Sequence, residues 1–180
     1  RCKSIIQELL EFSRDRKPQM VLTDVNEVIE KAVSILDNEF RLKHLKLEKI
    51  LSPQMEKIYL DGNQMEQVFV NILINAVQAT SENGIITVRS AWLPNPRVVR
   101  IHIADTGCGI SAENLPKVFE PFFSTKDSTG LGLSICHTIV GQHEGELSVH
   151  PRDGGGSLFR MKLPALGGEE ASPPAPGGKE

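Results

Sequence analysis

Four clusters in this chain join residue types and spacings that could do chemistry. In the first, Asn71-Ile-Leu-Ile-Asn75-Ala76, two asparagines stand four residues apart, on one helical face and one turn from each other. An amide oxygen can ligate magnesium and an amide NH2 can donate to a phosphate. Alone, the pair reads more simply as two partnered polar residues at an interface. The second cluster is Asp105-Thr106-Gly107-Cys108-Gly109-Ile110, directly after an apolar run. It fixes one carboxylate at a sheet edge, able to accept from the exocyclic amine of adenine, and its two glycines allow a flat ligand close to the backbone. An ordinary tight turn would look the same. The third, Phe119-Glu-Pro-Phe122-Phe123-Ser124-Thr125-Lys126, crowds three aromatics into a polar loop of a chain with only seven Phe, one Trp and one Tyr. Such a cluster can anchor the base of a flap and offer Lys126 to phosphate, or simply form a satellite cluster under a loop. The fourth, Thr129-Gly130-Leu131-Gly132-Leu133, opens a helix whose bare N–H groups and dipole favour an anion. It lacks the Gly-Lys-Ser/Thr of a Walker loop and the preceding strand and third glycine of a dinucleotide fingerprint. A glycine-rich cap on a core helix is the plainer alternative.

The elements that must position these clusters follow from periodicity and punctuation. Ile5, Ile6, Leu9, Leu10 and Phe12 recur at helical spacing, so residues 1–16 read as a helix that begins without a cap and stops at Pro18. A short strand over 21–25 leads to Asp24, an N-cap with Glu27 three residues on, and then one helix over 25–41. Residues 45–50 and 57–60 alternate as strands, separated by Ser52-Pro53. Asp61 caps the helix over 64–80 that carries both asparagines. Residues 85–92 and 98–104 read as a hairpin, 105–129 as loops, 130–140 as a helix, and 146–150 with 157–163 as a second hairpin. The expected architecture is a two-layer α/β sandwich, a mixed and mostly antiparallel sheet covered by helices on one face. Residues 165–180, rich in Ala, Gly, Glu, Ser and Pro, read as a disordered tail.

Composition narrows the function classes. With 39% hydrophobic and 24% charged residues over 180 positions, one ordinary globular domain is expected. A net charge of −3 without any basic run gives no reason to expect nucleic acid. No stretch reaches the roughly 18 apolar residues of a membrane span, and the first residues do not resemble a secretory leader. Cys2, Cys108 and Cys136 lack metal or redox spacing, so reduced thiols in a cytoplasmic setting are expected. Cys108, between two glycines, reads as a small filler in a turn.

The order of the four clusters, followed by Gly154-Gly-Gly-Ser157-Leu-Phe159, resembles the N, G1, F and G2 boxes and the final glycine box of sensor histidine kinase catalytic domains, over about 21–164. The resemblance implies the Bergerat fold with its left-handed crossover, and ATP with Mg2+ as cofactors. It implies that Asn75 ligates magnesium, that Asn71 lines the phosphates, and that Asp105 reads the adenine amine in a pocket shaped by Gly107 and Gly109. Gly130 and Gly132 would bring main-chain amides to the phosphates, and 119–129 would form a lid, short as in the nitrogen-regulatory type. Gln78, Ile110, Ser124, Thr125, Lys126, Thr129, Leu131, Leu133 and Ser157 complete the implied nucleotide-contacting set. Residues 1–18 resemble the end of the second dimerisation helix, with the catalytic domain over 19–164.

The same resemblance separates a kinase from a hydrolase. Related ATPases carry Glu at the first N-box position as a general base. Asn71 stands there instead, and Glu66, five residues earlier, is a poor substitute. None of His44, His102, His137, His143 and His150 precedes the Glu/Asp and Pro of a phospho-acceptor motif, so they read as surface or strand residues and the acceptor is expected upstream. Implied partners are ATP or ADP, that upstream helix, and a response regulator receiver domain. The parent kinase would be a homodimer, with any membrane anchor outside this piece, and this piece a monomer. A GHKL-type ATPase or a non-catalytic nucleotide-binding module is the alternative.

Overall fold

Asp61 does what an aspartate before an apolar helical run should do: its Oδ1 accepts from the N–H groups of Asn63 and Gln64 at 3.0 and 3.1 Å. The computed structural model describes residues 17–125 and 129–165. The helix expected over 1–16, Lys126, and residues 166–180 of the expected tail lie outside them. The elements are β1 (Val21–Thr23), α1 (Val25–Ile35), α2 (Asp37–Leu42), β2 (Lys46–Ile50), β3 (Ile58–Leu60), α3 (Gly62–Ala79), β4 (Ile85–Pro94), β5 (Arg97–Asp105), a 3-10 turn (Leu115–Lys117), α4 (Gly132–Gln142), β6 (Glu146–Pro151) and β7 (Ser157–Pro164).

Five strands form the main sheet in the order β2-β4-β5-β7-β6, and β1 pairs with β3 in a separate two-stranded sheet. Only β2 and β4 run parallel; β4–β5, β5–β7 and β6–β7 are antiparallel. The two strands either side of Ser52-Pro53 thus belong to different sheets. Alternation along β5 and β7 buries Val99, Ile101, Ile103, Phe159, Met161 and Leu163, and α1, α3 and α4 cover that face. The expected layered α/β sandwich is the fold observed.

Three boundaries differ from the sequence reading. The helix expected over 25–41 breaks at Leu36 (φ −103°, ψ 9°), whose N–H turns back to Val33 O at 3.0 Å. Buried Val33, Leu36 and Phe40 keep one apolar stripe across the joint, so periodicity carries no trace of it. The helix expected from Gly130 starts at Gly132, because Gly130 has φ +70°, outside the helical region. Ala165, placed in the tail by composition, belongs to the domain: it is buried and its N–H donates to Arg97 O at 2.9 Å.

The uncovered face of the sheet has its own electrostatics. The register sets His102 between Arg89 and Arg160, with Arg100 beside Lys162 in the next row. Partial burial, and then the positive charges of Arg160, Arg100 and Arg89, lower the His102 pKa from 6.5. The unfolded chain therefore takes up the His102 proton first. Stability from this residue is complete above pH 6.5 and lost as pH falls toward the lower folded-state value. An NMR titration should place the His102 midpoint below 6.5 and move it upward in Arg160→Gln. A midpoint at or above that value would mean the arginines point away from the ring.

Candidate functional site

The apolar stripe of α3 decides where its polar residues go. Met65, Val68, Phe69, Ile72, Leu73, Ala76 and Val77 are buried, which leaves Asn71 and Asn75 half-buried at the margin and Gln78 exposed. Lys43 satisfies the far end of the helix, donating to Val77 O at 2.8 Å and Thr80 O at 3.2 Å. Asn71 Nδ2 lies 3.5 Å from Gly132 O, so the first cluster meets the fourth although 61 residues separate them. Between these helices Cys136 is fully buried, its pKa raised by burial to about 12, and Cys108 is exposed. A buried thiol held protonated in this way is a packing residue.

Asp105 ends β5 at 2% exposure. Its Oδ1 accepts from Gly107 N at 2.8 Å and Ser157 N at 3.2 Å, and its carbonyl accepts from Arg152 Nη1. Two main-chain donors thus hold the carboxylate in place, one from its own loop and one from the final glycine segment. Thr106 and Cys108 pin that loop to Ile85 and to Ala79 at the end of α3, with Cys108 N 3.1 Å from Ala79 O. A methyl group at Gly107 would sit 2.4 Å from the same Ala79 oxygen. This glycine is therefore needed for the approach of the α3 backbone, a tighter demand than access for a flat ligand.

The Phe-rich segment divides. The Phe119 ring packs 5.2 Å from the His137 ring on α4, whereas Phe122 is 67% exposed and has φ +65°. Gly130, in the left-handed region, lies so close that a methyl there would meet Phe122 C at 2.5 Å and Phe123 O at 2.7 Å. Beyond it Leu131 is the N-cap of α4 and makes no side-chain cap bond, and first-turn N–H groups at such a start suit an anion.

The structure therefore brings together Asn71 with Gly132, Asp105 with Gly107 and Ser157, and Gly130 with the Phe segment. Gly109 reaches the backbone of Gly156. Leu131 is 1% exposed, and Ile110 and Leu133 are partly buried against the core. Ser124, Thr125 and Thr129 lie in the loops between Asp105 and α4. From Asn71 to Ala79 the helix rises about 12 Å, so the carboxylate pocket and the glycine start sit at opposite ends of an elongated site. Sequence reasoning missed Lys43, Arg152 and His143. Of these His143 is a correction: it is 3% exposed, neither a surface nor a strand residue. Its partner Asp61 is 82 residues away, and no local pattern signals such a contact.

Residues 60–167 match the family described as Histidine kinase-, DNA gyrase B-, and HSP90-like ATPase. The chain belongs to this family. It is 35% identical over 168 residues to sensor histidine kinase ZraS of Klebsiella oxytoca, covering 93% of this chain and 36% of ZraS. To the signal transduction histidine-protein kinase AtoS of Escherichia coli (strain K12) it is 37% identical over 161 residues, covering 89% and 26%. The chain thus spans about a third or less of these relatives. The nucleotide-free catalytic domain of histidine kinase ThkA superposes with TM-score 0.75 at 30% identity, covering 82% of this chain and 96% of that domain. ThkA in complex with response regulator protein TrrA gives TM-score 0.78 at 28% identity, covering 92% and 47%. The family's two-layer architecture is the one described above.

Gly107→Ala should overpack the loop against α3 and cost about 1–3 kcal/mol, lowering the melting temperature by roughly 2–12 °C. Calorimetric melting of the variant beside the parent chain measures it. An unchanged midpoint would show that the loop moves aside at no cost.

Proposed function

We propose that this chain is the ATP-binding catalytic domain of a two-component sensor histidine kinase. It transfers the γ-phosphoryl group of ATP to a histidine outside these 180 residues, from which the group passes to an aspartate of a response regulator. The observation that carries this is the junction of Asn71 with the start of α4: an amide and first-turn main-chain N–H groups without a side-chain cap converge there. Chemistry at that junction needs no proton acceptor from α3, because imidazole is itself the nucleophile. Its nitrogen attacks the γ-phosphorus in line, the N–P bond forms, the bond to the β–γ bridging oxygen breaks, and ADP leaves. The protein contributes position and charge neutralisation.

The residue roles follow. Asp105, whose Oδ1 accepts from two N–H groups, turns its carboxylate to the adenine amine, with Gly107, Gly109 and Ile110 around it and Ser157 behind. Asn71, Gly130, Gly132 and the first turn of α4 take the phosphates, with Ser124, Thr125, Lys126 and Thr129 covering them as the lid. Asn75 is half-buried, one turn beyond Asn71, and its amide has no hydrogen bond among the described residues, which suits a magnesium ligand. Among those residues no cluster of His, Cys, Asp and Glu could hold a metal alone, which accords with an ion held mainly by phosphate and water. Bound magnesium would offset charge on the phosphates.

A hydrolase reading is weaker, because an amide at Asn71 cannot take a proton from water. Glu66 lines a different cleft of about 260 Å³ with Gln19, Val21 and Asp61. We place the domain in the cytoplasm, where ATP and response regulators are found, within a homodimeric parent. No helix among the described residues is long and apolar enough to cross a membrane.

Titration calorimetry with magnesium-ADP should show binding, weakened about 10–100-fold by Asp105→Asn, since the new NH2 opposes the adenine amine (about 1–3 kcal/mol). Unchanged affinity would return Asp105 to a purely structural turn. Supplied with an acceptor-bearing upstream segment, the chain should label that histidine from radioactive ATP. Alone it should retain no phosphate. Asn75→Ala should abolish the transfer with little change in melting temperature, alanine being a good helix former. Transfer at the parent rate, or an unfolded variant, would make Asn75 a core residue.

A further inference from the structure

Helices α3 and α4 lie antiparallel and are tied at three levels. Asn71 Nδ2 is 3.5 Å from Gly132 O, Cys136 Sγ is 3.7 Å from Val68 O, and Asp61 N donates to His143 Nε2 at 2.9 Å. Each step along one helix is matched by a step back along the other, so these contacts record a single axial register. The first two are long and weak. The third is short and partly buried, with His143 itself 3% exposed, and it is the tie able to fix the register. Apolar ridges and grooves set the rough fit of a helix pair, but a directional hydrogen bond discriminates at tenths of an ångström. Slippage by one residue would carry Gly132 about 1.5 Å past Asn71.

The chemistry of the ring supports the same role. His143 Nδ1 lies 2.8 Å from Ile139 O, and a carbonyl only accepts, so Nδ1 carries the hydrogen and Nε2 presents the lone pair that Asp61 N needs. A space-filling histidine would not need both nitrogens committed to different helices. Asp61 reaches further: Oδ1 caps α3, and Oδ2 accepts from Gln19 N at 2.9 Å, on the segment that leads into β1. One node thus joins the entering chain, the start of α3 and the end of α4.

We propose that His143 is a positioning residue that sets the register of α4 against α3, and hence the place of Gly130–Gly132 beside Asn71. Through Gln19 and Asp61 the register also answers to displacement of the chain entering ahead of β1. The inference rests on Asn71 and the glycine start forming the phosphate end of the site.

The test uses amide NMR spectra and magnesium-ADP calorimetry on the whole chain. His143→Phe keeps a ring of similar shape and loses both bonds. It should displace the Gly130 and Gly132 amide peaks, about 16 Å away along α4, and weaken nucleotide about tenfold. His143→Gln, whose side-chain carbonyl can accept from Asp61 N, should restore most of both. Gln19→Pro deletes only the exposed N–H and should move the same two peaks in the same direction by less. A folded His143→Phe with parental glycine peaks and affinity would reduce His143 to local packing. If His143→Phe does not fold, glycine peaks that stay still in Gln19→Pro overturn the proposal equally. Failure of the underlying site reading looks different: magnesium-ADP would then leave the Gly130 and Gly132 peaks of the parent chain unmoved, whatever the variants do.

Discussion

Seven buried side chains of α3, from Met65 to Val77, press the helix onto the sheet and against α1 and α4, and the positions of Asn71 and Asn75 follow from that docking. At about 1.5–3 kcal/mol for each large apolar group, the docking contributes on the order of 10 kcal/mol or more, an upper figure because the unfolded chain is itself partly compact. Half-burying two amides costs a few kcal/mol at most. The apolar term wins by a wide margin, so the helix can hold two polar groups at the edge of its stripe. Nothing else in α3 asks for asparagine at those positions. Their type answers to the cleft, their placement to the core.

The same helix carries the other end of the site. Its last carbonyls are held by Lys43 and by the N–H of Cys108, and the loop that supplies Cys108 starts at Asp105. The carboxylate is thus positioned by β5 on one side and by the end of α3 on the other, with Ser157 N reaching it from β7. A change in the tilt of α3 would move both ends of the cleft together. Packing and main-chain hydrogen bonds thus hold residues far apart in the chain close to one helix.

Much of this arrangement was legible because it rests on local rules. The alternation of β5 and β7, the Asp61 cap and the spacing of Asn71 and Asn75 each carry a periodic or positional signal, and the four clusters in order pointed to the family. What stayed hidden involves contacts between distant segments. The break at Leu36 lies inside an unbroken apolar stripe, and the pairing of β3 with β1 rather than with its sequence neighbour is a choice of partner. His143 looks like any helix-end histidine until Asp61 is brought beside it. Gly107 stands out in the sequence for the access it would give a ligand. The nearer constraint is the Ala79 carbonyl, which a pattern of glycines cannot reveal.

The distribution of charge along the cleft gives the amide at Asn71 a further reason. Asp105 stands at the proposed base-binding end, where two main-chain N–H groups hold it. The proposed phosphate end, about 12 Å along α3, offers an amide and the first-turn N–H groups of α4, which have no side-chain cap. With an effective dielectric constant of about 20, a carboxylate 12 Å from a phosphate charge is repelled by about 1.4 kcal/mol, and one at 4 Å by about 4 kcal/mol. A glutamate in place of Asn71 would add the larger penalty where the triphosphate is most charged, and a hydrolase accepts it because water needs a base. A histidine nucleophile needs none. For a kinase the glutamate would bring repulsion with no catalytic return, and the shorter, neutral amide of Asn71 offers an N–H donor in place of a charge.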